Sequence, residues 1–65
     1  MKVRVKYNSA LNDGFTIGQI EYRALNNGSV GLRLDTSLIR NKVAYYIYFD
    51  NKQAAYYYPD EVESV

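Results

Sequence analysis

Cysteine, histidine and tryptophan are missing from this 65-residue chain, proline occurs once and glycine four times. Each shortage excludes something. Without cysteine there is no disulfide to staple a small fold and no thiolate nucleophile. Without histidine there is no imidazole base and no conventional triad. Lacking both, the chain cannot build a structural zinc site from the usual ligands. The four glycines are scattered, and none opens a helix in the pattern of a phosphate loop. The net charge is only +1, eight Lys and Arg against seven Asp and Glu, so there is no general basic excess of the kind that clamps nucleic acid. Carboxylates are dense only at Asp60, Glu61 and Glu63, which read as a solvated cap near the end of the chain. Asp13, Asp35 and Asp50 could form a metal site only as a chance cluster. No enzyme activity, metal or cofactor is expected. No apolar run approaches the roughly 20 residues that cross a bilayer. The opening MKVRVKYN alternates where a signal peptide would be uniformly apolar. A membrane partner is therefore not expected, and the expected location is the cytoplasm.

What the chain has in abundance is tyrosine. There are eight, six of them between residues 43 and 62. Residues 1–65 are expected to form a single domain. A chain this short buries only about 60% of the surface its unfolded form exposes, so it needs either a dense aromatic core or a second copy of itself. One buried ring can cover about 150–250 Å².

The hydropathy period is two along most of the chain, which predicts strands. In KVRVKY, Val3, Val5 and Tyr7 share one face, and Lys2, Arg4 and Lys6 the other. Residues 8–15 are polar and read as a loop. In 16–25, TIGQIEYRAL, Ile20, Tyr22 and Ala24 alternate with Glu21 and Arg23. Ile17 is out of phase, and Gly18 is placed to make a bulge that restores it. This segment is expected to be a strand, and NNGS at 26–29 the turn of a hairpin. VGLRLD, 30–35, alternates again. TSLIRNK, 36–42, reads as a connecting loop carrying two apolar residues, Leu38 and Ile39. VAYYIYFD, 43–50, is rich in β-formers. A turn at Asn51-Lys52 leads into AAYYY, which Pro59 stops because it cannot donate to a sheet ladder. Nothing in the pattern predicts a helix.

The segment YIYFDNKQAAYYYPDEVESV resembles the end of Tudor- and KOW-type SH3-like barrels. In those, a strand closing on an aromatic plus Asp turns tightly into an aromatic strand, and a single 3₁₀ turn precedes the last strand. Phe49-Asp50, Tyr56 to Tyr58, Pro59-Asp60-Glu61 and Val62 match that order. The resemblance implies an all-β fold, a small five-stranded SH3-like barrel with a short 3₁₀ turn near residues 59–62. The chain lacks the KOW motif's compact Gly-containing run and offers no complete aromatic cage of the Tudor type. Those activities are not implied.

A turn at Asn51-Lys52 sets the register of the tyrosine hairpin. It places Val43, Tyr45, Ile47, Phe49, Ala54, Tyr56 and Tyr58 inside, and Tyr46, Tyr48 and Tyr57 outside. A one-residue change in the turn would exchange Tyr57 with Tyr56 and Tyr58. The outer tyrosines, with Leu38 and Ile39, are expected to form a protein-binding or self-associating surface, since tyrosine is enriched at interface hot spots. The alternative is a small barrel binding single-stranded nucleic acid, through Lys2, Arg4, Lys6, Arg23 and Arg33 with bases stacked on tyrosine. A short binding domain opening at Met1 also has the look of a small phage- or plasmid-encoded regulatory protein.

Overall fold

The structure, a computed structural model, describes residues 1–65. Five strands form one antiparallel sheet: β1 Lys2–Val5, β2 Val30–Ile39, β3 Lys42–Phe49, β4 Ala54–Tyr57 and β5 Val62–Ser64. Their spatial order is β4-β3-β2-β1-β5. β1 to β4 are thus neighbours in chain order, and the last strand returns to pair with the first. The all-β expectation holds in the main, and this arrangement is compatible with a small barrel. The expected turn before the last strand is present as a 3₁₀ helix, Pro59–Glu61.

The segment expected as a second strand is instead a helix, α1, Ile17–Leu25. Its start is a capping box. The Thr16 hydroxyl accepts from the Gln19 amide, and the Gln19 side chain accepts from the Thr16 amide, so two otherwise orphaned donors are satisfied. Its end is NNGS, which is not a hairpin turn. Asn26 caps the helix and Gly28 takes φ +83°, which glycine adopts without steric cost. The apparent alternation of Ile20, Tyr22 and Ala24 carried less weight than these caps.

Residues 36–42 are not a loop either. β2 continues to Ile39, which pairs with Lys42 across a two-residue turn. Arg40 and Asn41 in that turn have φ of 50° and 65°, the positive pair that a right-handed twist requires of a tight hairpin. A bulge between Arg33 and Asp35 shifts the β2–β3 register and leaves Leu34 unpaired.

The tyrosine hairpin is displaced by one residue from the expected register. The observed partners are Tyr45↔Tyr57, Tyr46↔Tyr56, Ile47↔Ala55 and Tyr48↔Ala54. The turn holds three residues, not two: Phe49 N–H donates to the Gln53 carbonyl at 2.9 Å, and Lys52 takes φ 63°. One added turn residue reverses which side of β4 faces inward. Lys52 stands where such turns favour glycine. Lys52→Gly is expected to stabilise the domain by about 0.5–1 kcal/mol, because a left-handed L-residue costs more than glycine's extra chain entropy. Urea denaturation would check it through a higher midpoint at unchanged slope.

The core is Val3, Val5, Ile47, Phe49, Tyr57 and Val62, with Tyr7, Tyr45 and Ala55 packed against it. Phe49 and Tyr57 meet edge to face, their ring centroids 6.2 Å apart. Val43 was expected in this core but is 45% exposed near the hairpin tip. Gly31 lets β2 approach β3 closely: a Cβ there would stand 2.7 Å from Ile47 Cγ2 and 2.8 Å from the Tyr48 carbonyl oxygen.

Candidate functional site

A buried ion pair holds the site's scaffold. Arg23 projects inward from α1, fully buried, toward Glu61 at the end of the Pro59–Glu61 3₁₀ turn. The two are joined fork to fork, at 2.8 Å and 2.7 Å, the bidentate geometry that a planar guanidinium allows. Arg23 also donates to the carbonyls of Tyr56 and Leu11 and to the Asn12 side chain. Glu61 accepts in addition from the amides of Asn8 and Tyr58. The guanidinium lies 4.0 Å from the Phe15 ring centroid and 5.0 Å from that of Tyr57. Through these contacts one pair ties together residues 8–15, α1, β4 and the Pro59–Glu61 3₁₀ turn.

Beside this pair, α1 and the β3–β4 sheet enclose a groove of about 230 Å³. Gly18, Gln19 and Tyr22 form the helix wall, Tyr46, Ala54 and Tyr56 the sheet wall, and Phe15 and Arg23 also line it. Tyr46 and Tyr56 are directly opposed across the strands, ring centroids 5.0 Å apart. Both are half-buried. Tyr22 is fixed at its far end by a hydroxyl bond to the Asn51 side chain at 3.4 Å. At the other end Phe15 packs edge to face on Tyr58 at 5.7 Å, and the Tyr58 hydroxyl donates to the Asp13 carbonyl. The groove is thus a largely apolar slot with aromatic walls, the form in which most binding sites occur. No group of three or more acidic side chains comes together to hold a metal ion, and no helix is long and apolar enough to cross a membrane.

The sequence-predicted residues are only partly gathered here. Tyr46 lines the groove, with Tyr56 and not Tyr57 as its neighbour. Tyr57, expected outside, is wholly buried, and its hydroxyl donates to the Arg23 carbonyl at 2.8 Å. Burial holds that phenol well above the usual tyrosine range, and the Arg23 charge opposes the shift without cancelling it. Tyr48 is exposed on the outer sheet face, beside Leu32. Leu38 and Ile39 sit at the end of β2, not in a loop. Leu38 is 67% exposed opposite Val43, and Ile39 packs toward Gly14.

Of the basic residues, Lys2, Arg4 and Lys6 are exposed as expected, and Arg4 stands 3.7 Å from Glu63. Arg23 was expected on an outer face but is the buried partner of Glu61, because the segment is helical. Arg33 lies over the Tyr45 ring at 4.5 Å, on the side of the sheet shared with Ile47. Glu61, read as part of a solvated cap, is fully buried. The groove residues that the alternation concealed are Phe15, Gly18, Gln19, Tyr22 and Tyr56. The signal that could have found the helix wall is Thr16-x-x-Gln19, a capping-box spacing ahead of Ile20. Set against protein-family models, curated proteins and solved structures, the chain matches none of them.

Proposed function

We propose that this domain is a non-catalytic protein-interaction module of SH3-like barrel architecture, and that it takes an extended peptide segment in the groove between α1 and the β3–β4 sheet. The observation that carries this reading is the groove itself, with Tyr22, Tyr46 and Tyr56 as half-exposed rings along its walls. Rigid aromatic side chains offer large contact area at little entropic cost. The strand order with a 3₁₀ turn before the last strand supports the barrel assignment. The burial of Arg23 and the stacking of Arg33 on Tyr45 shorten the basic row on which nucleic-acid binding would depend. That leaves few phosphate contacts.

Selection from a displayed random-peptide library tests the proposal. Peptides enriched on the wild-type domain are expected to shift the amide resonances of Gly18, Gln19 and Ala54. Their affinity should fall about tenfold or more in Tyr46→Ala/Tyr56→Ala, the loss expected of anchor rings. Enriched peptides that bind this variant equally well would overturn the groove assignment. Shifts on Lys2, Arg4 and Lys6 with a single-stranded oligonucleotide, lost at high salt, would replace it with the nucleic-acid reading.

A further inference from the structure

The sheet face that supplies Tyr46, Ala54 and Tyr56 to the groove carries a second pattern, further toward β1 and β5. Directly paired residues share a face, so the strand registers give its layout. In one row across the sheet, Glu63 of β5 pairs with Arg4 of β1, and Arg4 with Val30 of β2. Gly31 pairs with Phe49, which sets Asp50 one step further on, beside Val30. Lys52 follows in the turn. In the next row, Lys2 pairs with Leu32, Leu32 with Tyr48, and Tyr48 with Ala54. Val30, Leu32 and Tyr48 are 39%, 42% and 37% exposed. Together with Lys2 and Asp50 they surround one shallow cleft of about 170 Å³. Arg4 has only an exposed, 3.7 Å ion pair with Glu63, and Lys2, Asp50 and Lys52 have no ion pair within the chain.

From β5 to β3 the first row reads negative, positive, apolar, negative, and Lys52 in the turn adds a positive charge beyond Asp50. It is antisymmetric about β2. A two-fold axis lying in the plane of contact along β2 reverses the order, so that each charge meets its opposite. We infer that this face is an isologous homodimer interface, with a second copy of the chain as its occupant. Arg4 faces Asp50 of the second copy, and Glu63 faces its Lys52. Lys2 lies over the ring of its Tyr48, a cation–π arrangement. Val30 and Leu32 pack against their own counterparts on the axis. Two-fold association demands this kind of self-complementarity, and stacked sheets accept it with strands within about 30° of each other. A foreign partner imposes no such antisymmetry. Pairing also covers the exposed aliphatic stripe and adds burial to a chain with little of it.

The test is sedimentation equilibrium from micromolar to millimolar protein. The wild type is expected to pass from monomer to dimer, at higher concentration when salt is raised. Arg4→Glu and Asp50→Arg should each weaken the dimer about tenfold or more, since each sets like charges face to face. The double variant Arg4→Glu/Asp50→Arg restores every opposition and should recover dimerisation. Leu32→Glu, at an exposed site on the axis, should abolish it while the amide spectrum stays dispersed. Tyr22→Ala, on the helix wall of the groove and off the sheet, should leave it unchanged, which separates this interface from the groove. A wild type that stays monomeric throughout overturns the inference, as does a double variant no better than its parents.

Discussion

Arg23→Met is expected to leave the domain largely unfolded. The substitution keeps a long, unbranched side chain but removes five hydrogen bonds, two of them to Glu61. Glu61 would then be a carboxylate with no exposed surface and no countercharge. Removing one partner of a buried pair typically costs about 3–5 kcal/mol. A single core in a chain this small rarely supplies more than that. Lysine is not expected to rescue the site, because one ammonium cannot replace a planar fork that serves a carboxylate, two carbonyls and an amide oxygen. Loss of amide dispersion and of the urea transition would confirm the expectation. A folded Arg23→Met protein with near-wild-type stability would show that the pair is not what joins α1 to the 3₁₀ turn. The double variant Arg23→Met/Glu61→Leu is expected to recover only part of the loss. It relieves the stranded charge but leaves the Asn8 and Tyr58 amides without their acceptor.

The two consecutive tyrosines of β4 are expected to respond very unequally to substitution. Tyr57→Ala removes a fully buried ring from the centre of the core and is expected to cost about 3–5 kcal/mol, by lost transfer energy and the cavity left behind. Tyr56→Ala, at a half-buried outer position, is expected to cost far less and, on the function proposed above, to weaken peptide binding instead. Under the register read from the sequence the order would be reversed, so urea denaturation of the two variants decides between the registers.

Tyr57→Phe keeps the ring and loses the bond to the Arg23 carbonyl. That leaves a buried acceptor without a donor, at about 1–3 kcal/mol. It should also change the alkaline limb of stability. Burial raises the phenol in the folded state above its unfolded value of about 10. The folded protein therefore holds this proton where the unfolded chain has lost it. That contribution is complete below pH 10 and is lost progressively above it. The wild type is expected to lose stability steeply above pH 10, and Tyr57→Phe to show a shallower decline. Equal slopes would rule out Tyr57 as the group responsible.

The legible part of the fold lay where alternating hydropathy and local turn chemistry agreed. β1, the start of β2, β3, β4 and the 3₁₀ turn at Pro59 were all visible, since Val3, Val5, Ile47 and Phe49 bury one strand face and a proline stops the ladder. The helix was hidden for a specific reason. Its only buried side chains are Arg23 and the cap residue Asn26, with Ile20 and Tyr22 half-buried beside them, while Ile17 and Leu25 are 77% and 81% exposed. A 3.6-residue period carried by polar and charged side chains does not register in hydropathy. Only the capping box at Thr16 marked it.

The sequence by itself therefore determined a small strand-rich domain, its aromatic hairpin, and the absence of any cysteine or histidine with which to do chemistry. The tertiary structure decided three further things. The hairpin register depended on whether its turn holds two residues or three, a choice that Lys52 in a left-handed conformation settles against its own local preference. The role of Arg23 depended on Glu61, 38 residues away, and a buried charge is tolerable only once its partner is in place. The groove joins a helix to a sheet, and so it exists only when Phe15, Tyr22, Tyr46 and Tyr56 have been brought together by contacts that no local pattern encodes.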